Sequence, residues 1–147
     1  MEFVQLQINY IDWESPQVRA RECCETARRH GKPIIVMEPV RGGGLARAPE
    51  EVEQTMKRCR PEHSIPSWAV RFAASLEGVM MALSGMSDLA QLEDNTSYMR
   101  DFVPLDQEER EIIRRAAQAI RSRVAVPCTA CRYCVDGCPR HIPIPPM

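Results

Sequence analysis

Hydrophobic and polar positions alternate strictly near the start of the chain. In FVQLQINYI, Val4, Leu6, Ile8 and Tyr10 fall on one side and Gln5, Gln7 and Asn9 on the other. A period of two predicts a β-strand with one polar face. Beyond it, Ser15 and Pro16 form an N-cap and first-turn pair, and Gly31 is a stop signal. Ala20, Cys23, Cys24 and Ala27 recur between them at helical spacing, so a helix is expected over about 16–30. KPIIVMEPV is a short apolar run that predicts a buried strand, and the glycine-rich RGGGLA reads as a flexible connection or, alternatively, an anion nest. Pro49, Glu50 and Glu51 open a second helix with Val52, Met56 and Cys59 as its stripe. A third unit follows: SWAVRFAASLEG as a helix ended by Gly78, VMMALSG as a strand, and DLAQLEDNTSYM as a helix capped by Ser87.

Strands separated by helices imply a parallel sheet with right-handed connections. One more helix is expected from Asp106. Glu109, three residues on, completes a capping-box pattern, and Ile113, Ala116, Ala117 and Ile120 form the apolar stripe. After Arg123 periodicity stops, and VAVPCTACRYCVDGCPRHIPIPPM predicts an irregular appendage held by ligands and not by a core.

Composition narrows the function classes. The chain has 147 residues with 44% apolar side chains, enough for a core, and 19 basic against 20 acidic side chains. That balance excludes a nucleic-acid or anionic-membrane footprint. No apolar run reaches the roughly 20 residues of a spanning helix, and the first residues lack a leader pattern, so a cytoplasmic protein is expected. Seven cysteines, four of them near one end, point to metal or redox chemistry in a reducing compartment and not to a disulfide framework.

Those four are Cys128, Cys131, Cys134 and Cys138, in CTACRYCVDGCP. Spacings of two, two and three residues before a proline match the bacterial ferredoxin run, in which thiolates wrap a 4Fe-4S cluster. A zinc site is the alternative, although zinc favours two separated ligand pairs. In two-cluster ferredoxins the fourth cysteine serves the other cluster, so Cys138 either closes this site or reaches for a second one. Cys23, Cys24 and Cys59 read as small buried hydrophobes, His30 and His63 as surface side chains, and His141, three residues past Cys138, as a solvated side chain or, alternatively, a ligand.

With the α/β units and the cysteine run together, the chain resembles the C-terminal part of an iron-sulfur aldo/keto reductase. FVQLQINY resembles the sixth strand of that family's barrel, GKPIIVMEPVRGGGLA the seventh with its loop, and VMMALSGMSDLAQLEDN the eighth. The resemblance implies the last three units of a (β/α)8 TIM barrel over 1–104, a linking helix over 105–124 and a ferredoxin-type 4Fe-4S segment over 125–147. It also implies NAD or NADP as a second ligand at the strand C-terminal ends. Gln5 would hold the nicotinamide carboxamide, Gly85 to Ser87 would meet a cofactor phosphate, and Asn95 would contact adenine. Glu38 stands where many members carry an aromatic ring, and Gln91 where NADP-preferring members often carry arginine.

The family's catalytic aspartate, tyrosine, lysine and histidine have no counterpart here, and three strands do not close a barrel. The expectation is therefore a fragment or split subunit of an oxidoreductase, with a redox partner or an N-terminal half-barrel supplying the rest and a small-molecule substrate for the complete enzyme. An electron-transfer or interaction module and a zinc-stapled structural module are the alternatives.

Overall fold

A computed structural model describes residues 1–123, 133–140 and 142. The elements are β1 (Val4–Gln7), α1 (Ala20–Arg29), β2 (Ile34–Met37), α2 (Glu50–Cys59), α3 (Ile65–Ala74), β3 (Val79–Ala82), α4 (Leu89–Met99), α5 (Gln107–Arg123) and α6 (Tyr133–Asp136). The three strands form one parallel sheet in the order β1-β2-β3, as the strand and helix alternation required.

Register explains which side chains are covered. Val4 and Leu6 of β1 pair with Ile34 and Val36 of β2, so the four share the face on which the helices pack, and Ile34 and Val36 are fully buried. Gln5 and Gln7 pair with Ile35 and Met37 on the other face. That face has no covering layer among the described residues, and Met37 and Met81 are 37% and 48% exposed. The expected burial of β2 on both sides therefore holds for one side only.

Trp68, Ala69, Ala73, Met56, Leu45, Ile8 and Ile113 fill the core between sheet and helices. The α5 helix belongs to this same core through Ile112, Ile113, Ala116 and Ala117. Its start is the expected capping box: Asp106 Oδ1 accepts from the Glu109 amide at 2.8 Å and Glu109 Oε2 accepts from the Asp106 amide at 2.9 Å. Glu109, 1% exposed, also accepts from Arg71 Nη1 at 2.7 Å and Arg60 Nε at 3.1 Å. These bonds hold its carboxyl down at about 2 against the desolvation that burial imposes. At the far end, Arg121 donates to the Ile11 carbonyl and Arg123 pairs with Glu51.

Several local expectations need correction. α1 begins at Ala20, not near residue 16, because Ser15 Oγ caps the amide of Val18 in a separate turn and Arg19 breaks the helix with φ 54°. Its end is as expected: Gly31 at φ 62° donates to the Arg28 carbonyl, and Lys32 to that of Ala27, the Schellman arrangement. α3 begins two residues before Ser67, with Ser64 as cap and Pro66 in the first turn. The cap of α4 is Asp88 and not Ser87, since Asp88 Oδ1 accepts from the Gln91 amide at 2.8 Å. Cys23 faces solvent while its neighbour Cys24 is buried.

Candidate functional site

The C-terminal ends of β2 and β3 open into a cleft of about 530 Å³. One wall is the loop after β2, from Glu38 to Ala46; the other is Leu83 to Ser87 with the inner side of α4. A larger groove of about 670 Å³ lies between β1 and α1. It runs along the β1 edge that has no partner strand among the described residues, and apolar Val4, Leu6, Val18 and Ala27 share its lining with Arg19, Glu22, Cys23, His30 and Lys32.

The structure brings Gly85, Ser87 and Asn95 together in this cleft. Gln5 does not line it. Its amide donates to Met37 Sδ at 3.1 Å, which places it on the uncovered face of the sheet beside a residue that does line the cleft. Gly43 at φ 85° and Gly85 would each project a Cβ into open space, so backbone is accessible on both walls.

Asn95 has a defined orientation. Tyr98 donates its hydroxyl proton to Asn95 Oδ1, and Asn95 Nδ2 donates to Ser84 Oγ at 3.0 Å. Burial raises the Tyr98 phenol, with the Asp94 carboxylate adding to the effect, so the phenol stays a donor. Gln91 is occupied at the start of α4: its Nε2 donates to Asp88 Oδ2 at 2.9 Å, and its Oε1 accepts from the Ser87 amide at 2.8 Å. Asp94 accepts from Ser64 Oγ at 2.6 Å, tying α4 to the cap of α3. His63 is half-buried against Tyr98, ring centroids 6.4 Å apart, and burial lowers its pKa; it is less exposed than the surface side chain expected.

The outer wall rests on a buried polar cluster that the sequence pattern did not disclose. Asn9, fully buried, donates to Asp12 Oδ2 at 2.9 Å and to the Glu38 carbonyl at 3.2 Å, and its Oδ1 accepts from the amides of Ile11 and Asp12. Gln7 donates to Asp12 at 2.7 Å, and Arg41 Nε lies 3.3 Å from Asp12 Oδ1. Gln7 and Asn9, on the polar face predicted for the first strand, thus both have a partner in Asp12. Glu38 and Arg41 take φ of 58° and 53°, conformations that cost non-glycine residues of order 1 kcal/mol and persist where surroundings enforce them. With Leu45 2% exposed and its amide bonded to the Val40 carbonyl, RGGGLA folds as a series of hydrogen-bonded turns. Asn9 was visible in sequence as a polar-face residue; Asp12 and Arg41 carried no signal, because their pairing spans 29 positions of chain.

Of the cysteine run, Cys134 lies exposed in α6, and Cys138 follows half-buried with its amide donating to the Val135 carbonyl at 3.1 Å. Cys128 and Cys131, and His141, lie outside the described residues. Among the described residues no group of three or more His, Cys, Asp or Glu is placed to hold a metal ion, and no helix is long and apolar enough to cross a membrane.

Comparison with known proteins matches residues 1–118 to the aldo/keto reductase family. No curated protein matches the chain. Among solved structures, the chain is similar to aldo-keto reductase AKR11C1 from Bacillus halodurans in its holo form, with TM-score 0.59 and 21% identity over 81% of this chain and 43% of that one. It is also similar to the thermostable aldo-keto reductase Tm1743 solved with the inhibitor epalrestat, with TM-score 0.56 and 14% identity over 76% and 38% of the two chains. The chain thus spans less than half the length of these structures, and its three parallel strands with their helices correspond to part of their fold. A family match over more than half its length, with the strand order and cleft described above, makes this chain a member of the aldo/keto reductase family.

Proposed function

We propose that the chain is the C-terminal portion of an iron-sulfur oxidoreductase of the aldo/keto reductase type. Its cleft binds a nicotinamide cofactor and its terminal cysteines bind a 4Fe-4S cluster. The observation that carries the reading is the convergence of Gly85, Ser87 and Asn95 on one cleft at strand C-terminal ends in a chain of this family, the position where barrel sites lie. Open backbone at Gly43 and Gly85 and the fixed amide of Asn95 suit the neutral and hydroxyl groups of a dinucleotide. The cysteine donors, all thiols at ferredoxin spacing, suit iron and sulfide and not a hard cation. A thiol-rich site of this kind belongs in a reducing compartment such as the cytoplasm.

When bound, the nicotinamide supplies a hydride. This chain's contribution is to seat it, with Asn95 and the α4 turn on one side and Gln5 near the strand face. The proton donor and the rest of the catalytic set come from a partner or further sequence that completes the barrel. A second reading, an electron-transfer or interaction module, is favoured by the uncovered sheet face at Met37 and Met81.

Nicotinamide-dependent reduction of simple carbonyl compounds, assayed with the anaerobically purified chain alone and after mixing with a polypeptide carrying the remaining barrel strands, tests the first reading. Turnover only in the mixture supports it. Turnover by the chain alone that Gln5→Ala abolishes contradicts the assignment of catalysis elsewhere, and cluster-dependent electron transfer with no nicotinamide binding favours the second reading.

A further inference from the structure

We propose that His63 is an acid-sensitive latch, which holds α4 against the inner wall of the cleft and releases it on protonation. The latch does not depend on what the cleft binds. His63 lies in the turn between α2 and α3, where these two helices meet α4. Its ring packs edge to face on that of Tyr98, with centroids 6.4 Å apart and planes at 87°. Its carbonyl accepts from Lys57 Nζ of α2 at 2.8 Å, and its amide donates to the Arg60 carbonyl at 3.2 Å. The next residue, Ser64, caps α3 and donates its hydroxyl to Asp94 of α4 at 2.6 Å. With the backbone held on both sides, the movement left to the ring is to leave Tyr98.

Tyr98 carries that contact to the cleft. It is 6% exposed and donates its hydroxyl proton to Asn95 Oδ1, while Asn95 Nδ2 donates to Ser84 Oγ at 3.0 Å. Ser84 and Asn95 both line the cleft. A shift of the Tyr98 ring therefore moves the inner wall. The outer wall rests on Asn9 and Asp12 through Glu38 and Arg41 and stays in place.

The charges around the His63 ring oppose a further cation. Arg71 of α3 and Arg60 of α2 both act on it, and the Lys57 ammonium sits at its carbonyl. The carboxylate of Glu109, from α5, is already shared between Arg71 and Arg60, and Asp106 is taken by Arg60. Asp94 is held by Ser64 and bears on Tyr98. Glu62 Oε1 lies 3.8 Å from His63 Nε2, but its side chain is 61% exposed, so water screens the attraction. Burial first, and Arg71 next, hold the imidazole below its ordinary pKa. The docked ring is the neutral one. Because the docked value is the lower, docking is complete above the free histidine value of about 6.5 and weakens as pH falls below it.

The test is hydrogen exchange of the anaerobically purified full chain, read by peptide mass spectrometry as protection factors between roughly pH 7.5 and pH 5.5. Protection across α4 is expected to fall by at least about threefold relative to α1 over that range. His63→Phe keeps a ring on Tyr98 that cannot take a proton, and it is expected to hold α4 protection level. Glu62→Gln is an exposed change that leaves the packing alone; it is expected to deepen the fall, because a docked imidazolium loses the carboxylate beside it. Protection of α4 that does not change with pH overturns the proposal. So does an equal fall in His63→Phe, which places the titrating group elsewhere. If circular dichroism shows His63→Phe unfolded, Glu62→Gln decides: a deeper fall supports the latch, and an unchanged or shallower one overturns it.

Discussion

Glu109→Gln removes one negative charge from the place where α5 meets α3 and leaves the side-chain shape almost unchanged. In the native chain each carboxylate oxygen accepts twice. Oε1 takes Arg71 Nη1 at 2.7 Å and Arg60 Nε at 3.1 Å; Oε2 takes Arg71 Nη2 at 3.2 Å and the Asp106 amide at 2.9 Å. Arg71 is 3% exposed and Glu109 1%, so a glutamine leaves a buried guanidinium without its counter-charge and turns an NH2 group toward at least one donor. Removing one member of a buried pair costs about 3 to 5 kcal/mol. Linkage gives a similar size. A carboxyl lowered from 4.5 to about 2 is stabilised by up to about 3 kcal/mol on folding, a figure that solvent at the half-exposed Arg60 reduces. Because the folded value is the lower one, this stability is complete above pH 4.5 and is lost as pH falls toward 2. Urea unfolding followed by far-ultraviolet circular dichroism should show a loss of about 3 kcal/mol for Glu109→Gln at pH 7 with an unchanged m-value, and a smaller difference from the native chain near pH 3. The double substitution Arg71→Met with Glu109→Met should recover most of the loss. A single-substitution cost below about 1 kcal/mol at pH 7, or a cost that does not shrink in acid, refutes the reasoning.

Asn9→Ala strands two backbone amides and the Glu38 carbonyl in a fully buried place; it should cost about 2 to 3 kcal/mol and speed hydrogen exchange at the Leu45 amide in the cleft wall. Asp88→Ala removes the cap of α4 and should cost about 1 kcal/mol, seen as faster exchange in the first turn of α4. Gly78→Ala forces a left-handed φ of 86° on alanine and sets its Cβ 2.9 Å from Arg28 Cγ, so thermal unfolding should show a loss greater than about 1 kcal/mol. Under iodoacetamide, Cys23 should be alkylated well before Cys24, whose thiol is buried and raised by desolvation; peptide mass spectrometry gives the order.

What was visible in sequence follows from the range of the interactions involved. Gly31, the capping box at Asp106 and Glu109, and the stripe Ile113, Ala116 and Ala117 are signals written within a few residues, and the structure places them as expected. The misplaced helix starts at Ser15 and Ser87 are also local. Ser15 caps a separate turn through the Val18 amide and Arg19 at φ 54° delays the helix, while Asp88 takes the cap role from Ser87 because its carboxylate reaches the Gln91 amide. The Asn9, Asp12 and Arg41 cluster, and the pairing of Arg71 with Glu109 across 38 positions, depend on how strands and helices are brought together, and no pattern along the chain announces them. The meeting of Gly85, Ser87 and Asn95 was legible only through the family resemblance. A glycine before a helix and an asparagine two turns into it have no common signal of their own.

The cluster is the claim that gives the chain its distinct chemistry, and iron and acid-labile sulfide content per chain after anaerobic purification tests it most directly. The account predicts a brown protein with about four iron and four sulfide per chain, and loss of both when Cys134 is replaced by alanine. Colourless protein carrying one zinc and no sulfide, or iron content untouched by Cys134→Ala, would contradict it.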